Sequence, residues 1–270
     1  MRRFRLCLPC VLALAAPALL AGAAADSDAT LRRFTEEFVS LTPGAGKFPA
    51  TFRMGTAGDA PAEKPAVTIT FRRPFAVARY EVTQELYEAV TGKNPSRWKG
   101  PRNSVEMVSW EEANDFCRQA TAELRRRKLI AASEVVRLPS EAEWEYACRA
   151  GATTRYSFGE RADELKDYAW FKGNSKGEDP PVGRKKPNAW GLYDMHGYVW
   201  EWCADAWHPD HTGAAADGRP RAGKGGAERV LRGGSWADDA DSARSAFRTH
   251  KPPDIRSDRV GFRCVRAAQE

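Results

Sequence analysis

Apolar and polar positions are periodic enough to name elements from about residue 31 to residue 151, and then the pattern breaks up. LRRFTEEFVSL (31–41) spaces its apolar residues as a short helix does. ATFRMGTAG (50–58) reads as a strand running into a glycine turn. VTITFRRPFAVARYEVT (67–83) alternates well enough for two strands around Pro74. Thr83 can cap a helix, QELYEAVTG, that stops at Gly92. Ser109 and Glu112 form a capping box ahead of WEEANDFCRQATAELRRRK, and Ser140 and Glu143 repeat the device in RLPSEAEWEYACRAG. In that second helix Trp144, Ala147 and Cys148 share a face, and Gly151 ends it. From there to residue 228 little is periodic, and Trp, Tyr, Gly, Pro and Asn are scattered through loops. The 9 Trp of the chain suggest loops pinned by buried rings. RVLRGGSW and VGFRCVRA predict late strands, and 213–228 reads as a mobile loop.

The N-terminus changes the picture. Arg2, Arg3 and Arg5 precede an apolar run that ends in small residues, the pattern of a secretory signal peptide cut after Ala25. Pro9, Pro17 and the many small residues make the run poor as a permanent span. The expected organisation is then a signal peptide (1–25), a leader (26–48) and one domain (49–268), exported to the periplasm or secreted, with no stable membrane span in the mature chain. The formal charge is +6, of which the three signal arginines carry half. The +3 that remains is no argument for nucleic acid, and the basic run RRRK (125–128) reads as a solvated helix end. Cys117, Cys148, Cys203 and Cys264 lie outside the signal, and in an oxidising compartment they favour two disulfides with three possible connectivities. HPDH (208–211) sets two histidines near an aspartate, a grouping commoner without a metal than with one.

Seven phrases in fixed order carry a family signal: FRMGTAG, YEVTQELYEAVTGKNPSRWKG, VEMVSWEEANDFC, RLPSEAEWEYACRAG, WGLYDMHGYVWEWCADAW, RVLRGGSW and VGFRCVRA. Together, from about residue 49 to 266, they resemble the formylglycine-generating enzymes, or sulfatase-modifying factors. The resemblance implies a single compact α+β domain of low regular secondary structure, related to the C-type lectin fold. It also implies oxygen-dependent oxidation of a cysteine in a client protein, with copper(I) held between two thiolates after the GGS phrase. Here that stretch is RGGSWADDADSARSAFR (232–248), with no cysteine in any register. Its aspartates are poor ligands for a soft ion. Copper is therefore not expected.

What the resemblance retains is a set of candidates. Trp200 and Ser235 match residues near the reaction centre and are expected to face one groove, with Asp238–Asp241 along its rim favouring a cationic or polyhydroxyl ligand or a hard metal. LYDMHGYVWEW matches a structural calcium loop, with Asp194 and Glu201 supplying carboxylates and Gly197 and Val199 carbonyls; Tyr198 stands where the family has Asn. A second calcium site would fall in 168–182. Cys117 and Cys264 match a family disulfide, and Cys148–Cys203 is the economical second pair, because the usual partner of Cys148 is absent. Two functions remain open. One is a divergent oxidase or protein-modifying enzyme. The other is a non-catalytic, lectin-like module that binds a protein, peptide or glycan.

Overall fold

A computed structural model describes residues 16–58 and 60–269. The first 15 residues of the expected signal peptide lie outside them. The chain runs α1 (Ala16–Glu36), β1 (Phe38–Leu41), β2 (Thr51–Met54), β3 (Val67–Thr70), β4 (Phe75–Ala78), α2 (Gln84–Thr91), α3 (Trp110–Arg126), β5 (Glu134–Arg137) and α4 (Glu141–Arg149). After a long irregular stretch come β6 (Trp200–Ala206), β7 (Arg229–Arg232), β8 (Arg248–Lys251), β9 (Val260–Gly261) and β10 (Val265–Ala268). The class is α+β. One antiparallel sheet is ordered β1-β4-β10-β5, a second is ordered β8-β7-β6-β9, and β2 and β3 form a separate hairpin.

Local chemistry sets the helix starts. Thr83 accepts from Leu86 N, and Ser109 and Ser140 each complete a capping box with Glu112 and Glu143. Gly92 ends α2 in the left-handed conformation. At the end of α4 it is Ala150, one residue before the expected glycine, that first turns left-handed (φ 48°).

Three elements depart from the sequence reading. The helix expected over 31–41 stops at Glu36, and Phe38–Leu41 pairs with β4 as an edge strand. Residues 26–48, expected as a leader, are therefore part of the domain. Leu31 and Phe34 are buried with Leu86, Phe116 and Phe262 in one core. β6 carries no alternation because nearly all of it is buried on both faces, which hides a strand from a period-of-two reading. β8 (RTHK) is polar and owes its place to pairing with β7.

The chain end ties the sheets together. β9 pairs in parallel with β6, and four residues later β10 enters the middle of the other sheet. Between them stand Arg263 and Cys264. Cys264 Sγ lies 3.9 Å from Cys117 Sγ on α3, both as buried thiols. The second expected pair is not bonded either: Cys148 Sγ packs on the carbonyl of Met195 (3.5 Å) and the ring of His196 (3.8 Å), and Cys203 is likewise a buried thiol.

Two outcomes are expected. Leu31→Ala should lower unfolding free energy by about 2–5 kcal/mol in urea titration, as deletion of a buried leucine does; a loss under about 0.5 kcal/mol would return 26–48 to the status of a leader. Under oxidising conditions Cys117 and Cys264 should join, closing a separation of 147 residues. By loop entropy that contributes about 5 kcal/mol, less any strain. Alkylation and mass spectrometry without reductant would then find Cys148 and Cys203, and not this pair, as thiols.

Candidate functional site

The stretch 232–248 is held at both ends by charge. Arg232 and Arg248 are direct cross-strand partners on β7 and β8, an unfavourable pairing by itself. Opposite them, Glu141 and Glu145 stand one turn apart on α4. Glu141 takes Arg248 in a bidentate pair (2.7 and 2.7 Å), and Glu145 takes Arg232. Burial opposes ionisation of both acids, but the neighbouring arginines outweigh it and hold both below the usual carboxylate range.

Between these anchors, Gly233 (φ 100°) and Gly234 (φ 83°) turn the chain against Trp144 and the backbone of Ser242. Ser235 and Trp200 do come together, through Asp238. One oxygen of Asp238 accepts from Trp200 Nε1 (2.8 Å), Ser235 N (3.1 Å) and Ser235 Oγ. The groove expected between them is absent from this place: Ser235 is 1% exposed and Trp200 8%. The aspartates do not form a free acidic rim either. Asp239 faces Lys172 (3.4 Å), and Asp241 pairs with Arg155 and Arg244.

Nothing here fits copper(I). The stretch has no sulfur, and the four cysteines of the described residues are buried in the core. Burial pushes the Cys148 thiol up to about 12 and the Cys203 and Cys264 thiols well above their ordinary value. Cys148 and His196 touch, yet as a neutral pair. His196 Nδ1 donates to Ala243 O (2.8 Å) and Nε2 accepts from Ser157 N (3.1 Å), while burial lowers the ring to about 4.

The four residues expected to hold calcium do not fit it as a set. Both oxygens of Glu201 are taken by Arg263 (2.7 and 2.7 Å), and one also accepts from Trp144 Nε1 (2.7 Å). Asp194 Oδ2 accepts from Gly183 N (2.7 Å), and only its Oδ1 is buried without a partner. Gly197 and Tyr198 instead support a packing role. Gly197 lies against Trp170 O, and the Tyr198 hydroxyl, where the family has Asn, donates into the Asp179–Pro180 turn. No group of three or more His, Cys, Asp or Glu able to hold a metal occurs among the described residues, HPDH included.

The open space lies elsewhere. A cavity of about 1100 Å³ separates the β2–β3 hairpin from the turn after α4, Gly151–Arg155. Phe52 and Tyr146 line it with Thr51, Arg53, Arg149 and Arg155, and Asp241 reaches its edge. Beyond the strand and glycine turn of FRMGTAG nothing in the residue pattern marked it, because the two walls are about 100 residues apart in the chain.

His196 provides a pH test. A histidine whose folded value lies below its unfolded one contributes stability that is lost as pH falls, here from about 6.5 towards 4. Ring NMR signals of His196 should stay neutral until about pH 4, and the stability lost over that window should shrink in His196→Gln. Titration of the ring near 6.5 would show a solvated histidine.

Comparison with known proteins agrees with this architecture. The family model described as sulfatase-modifying factor enzyme 1-like domain matches residues 25–268. The chain is 35% identical over 186 residues to a formylglycine-generating enzyme of Streptomyces coelicolor, covering 62% of this chain and 54% of that one. It is 35% identical over 188 residues to an inactive C-alpha-formylglycine-generating enzyme 2 of Mus musculus (63% and 52%), and 27% over 220 residues to the chaperone protein LppX of Paenibacillus barcinonensis (64% and 73%). It thus spans about half the length of the two formylglycine-generating-enzyme relatives. Among solved structures, variable protein 1 of Treponema denticola superposes with a TM-score of 0.72 at 29% identity, covering 84% of this chain and 94% of that one. PvdO from Pseudomonas aeruginosa gives 0.71 at 33% (81% and 92%). The chain belongs to the sulfatase-modifying factor enzyme 1-like family.

Proposed function

We propose that this chain is a non-catalytic member of its family that works outside the cytoplasm by binding a protein client in the cavity beside the β2–β3 hairpin. The observation that carries this reading is the state of stretch 232–248. It supplies no thiol, and its acid nearest Trp200 and Ser235 is spent on hydrogen bonds to those two residues. One oxygen of that acid accepts three hydrogen bonds, from Trp200 Nε1, Ser235 N and Ser235 Oγ, which leaves it a weak base for activating the hydroxyl. The cavity, in contrast, is roomy, aromatic on one side and rich in arginine and threonine.

Support from relatives is of the same kind, since one is named as an inactive enzyme and another as a chaperone. Export is supported by the charged, apolar and small-residue N-terminus and by the facing Cys117 and Cys264. No helix among the described residues is long and apolar enough to cross a membrane.

The purified protein, supplied with Cu(I) and oxygen, should leave a sulfatase-type cysteine peptide unoxidised, and should lose Cu(I) to a chromophoric chelator that a dithiolate site would resist. Oxygen uptake coupled to peptide oxidation would refute the reading and restore the divergent oxidase.

A further inference from the structure

The outer edge of β2 in the β2–β3 hairpin is open over its middle among the described residues. Phe71 N donates to Ala50 O (3.0 Å), and the register then runs Thr51↔Thr70, Phe52↔Ile69, Arg53↔Thr68 and Met54↔Val67. Antiparallel pairs alternate between hydrogen-bonded and non-hydrogen-bonded. Phe52 and Met54 therefore bond to β3, and the main-chain groups of Thr51 and Arg53 point away from it. The same alternation shows on either side. Pro49 O accepts from Tyr146 Oη (2.9 Å), Gly55 N donates to Glu145 Oε1 (2.8 Å), and Gly55 O accepts from an Arg149 guanidinium nitrogen (3.1 Å). Side chains of α4 thus close the edge at both ends. Between those ends the N–H and C=O of Thr51 and of Arg53 have no partner among the described residues.

This open stretch faces the cavity, and both residues are exposed. Gly151, Ala152 and Thr153 on the opposite wall are small. Among the described residues the Arg53 guanidinium makes one long contact, to Thr68 Oγ1 (3.4 Å), and no ion pair. Arg149, Arg155 and Arg244, the other arginines of the lining, are all paired with acids. A row of alternating donors and acceptors at strand spacing is matched by another extended backbone, and exposed edges left unblocked serve as templates for one.

We propose that β2 takes up an extended segment of a protein partner as a third strand, with Thr51 and Arg53 supplying the main-chain bonds and Arg53 pairing an acidic side chain of the segment. This rests on the binding reading above and names its mode.

The test uses the full protein and a short capped peptide of alternating threonine and valine with a central glutamate, labelled for fluorescence anisotropy. N-methylation of alternate amides in one register should weaken binding by roughly tenfold or more, and in the other register by less than about twofold, because only one set of N–H groups faces β2. On binding, the Thr51 and Arg53 amides should gain protection in hydrogen exchange. Arg53→Glu, a change at an exposed position, should lose the glutamate peptide and gain its lysine counterpart. Equal losses in both N-methyl registers would overturn strand addition while leaving a peptide-binding protein. No binding of either peptide would overturn it as well, and the oxidation assay above, which does not depend on this edge, decides the broader reading separately.

Discussion

Two arginines forced side by side constrain the rest of this structure. Pairing of β7 with β8 puts Arg232 opposite Arg248, and both are buried. Two like charges in that position, out of water, are tolerable only if two acids meet them. α4 provides these at Glu141 and Glu145, an i,i+4 spacing that matches the separation of the strands. The capping box at Ser140 fixes where α4 begins and so where both acids fall. Removing one partner would strand a buried charge at about 3–5 kcal/mol. The stretch between the arginines is thereby clamped, whatever residues it carries.

The same device recurs at Arg263, between β9 and β10. Glu201 takes its guanidinium, and Trp144 of α4 shares the same carboxylate, so the two ionic centres are joined through one helix. Around Arg263 lie two more buried acids, Glu81 and Asp194. Burial raises Asp194 to about 6, and burial together with Asp194 raises Glu81 well above the ordinary range. The Arg263 guanidinium thus stands among three buried acids and takes both oxygens of Glu201.

The anchors that shape the 232–248 loop are intact, and Trp200 and Ser235 remain where the family resemblance puts them. The stretch carries no sulfur, and Asp238 joins Trp200 and Ser235 in one hydrogen-bonded unit. The loop is held by its ends and not by its contents, so its shape does not depend on the chemistry it carries.

By itself the sequence determined what depends on neighbours in the chain. The caps at Thr83, Ser109 and Ser140 are local hydrogen bonds, so three helices were legible. The missing cysteines of 235–248 needed only reading. The ordered phrases carried the fold class. Tertiary structure decided what depends on partners far apart. β6 was hidden because both its faces are buried, and β1 because its burial is set by β4. Ser235 and Trp200 were legible as neighbours, but not the carboxylate of Asp238 that closes the space between them. Glu201 was legible as a carboxylate of the calcium pattern, but not the Arg263 guanidinium, 62 residues on, that takes both its oxygens. The cavity and the open edge of β2 had no local signature, because a strand edge is free or covered only according to what the remaining chain packs beside it.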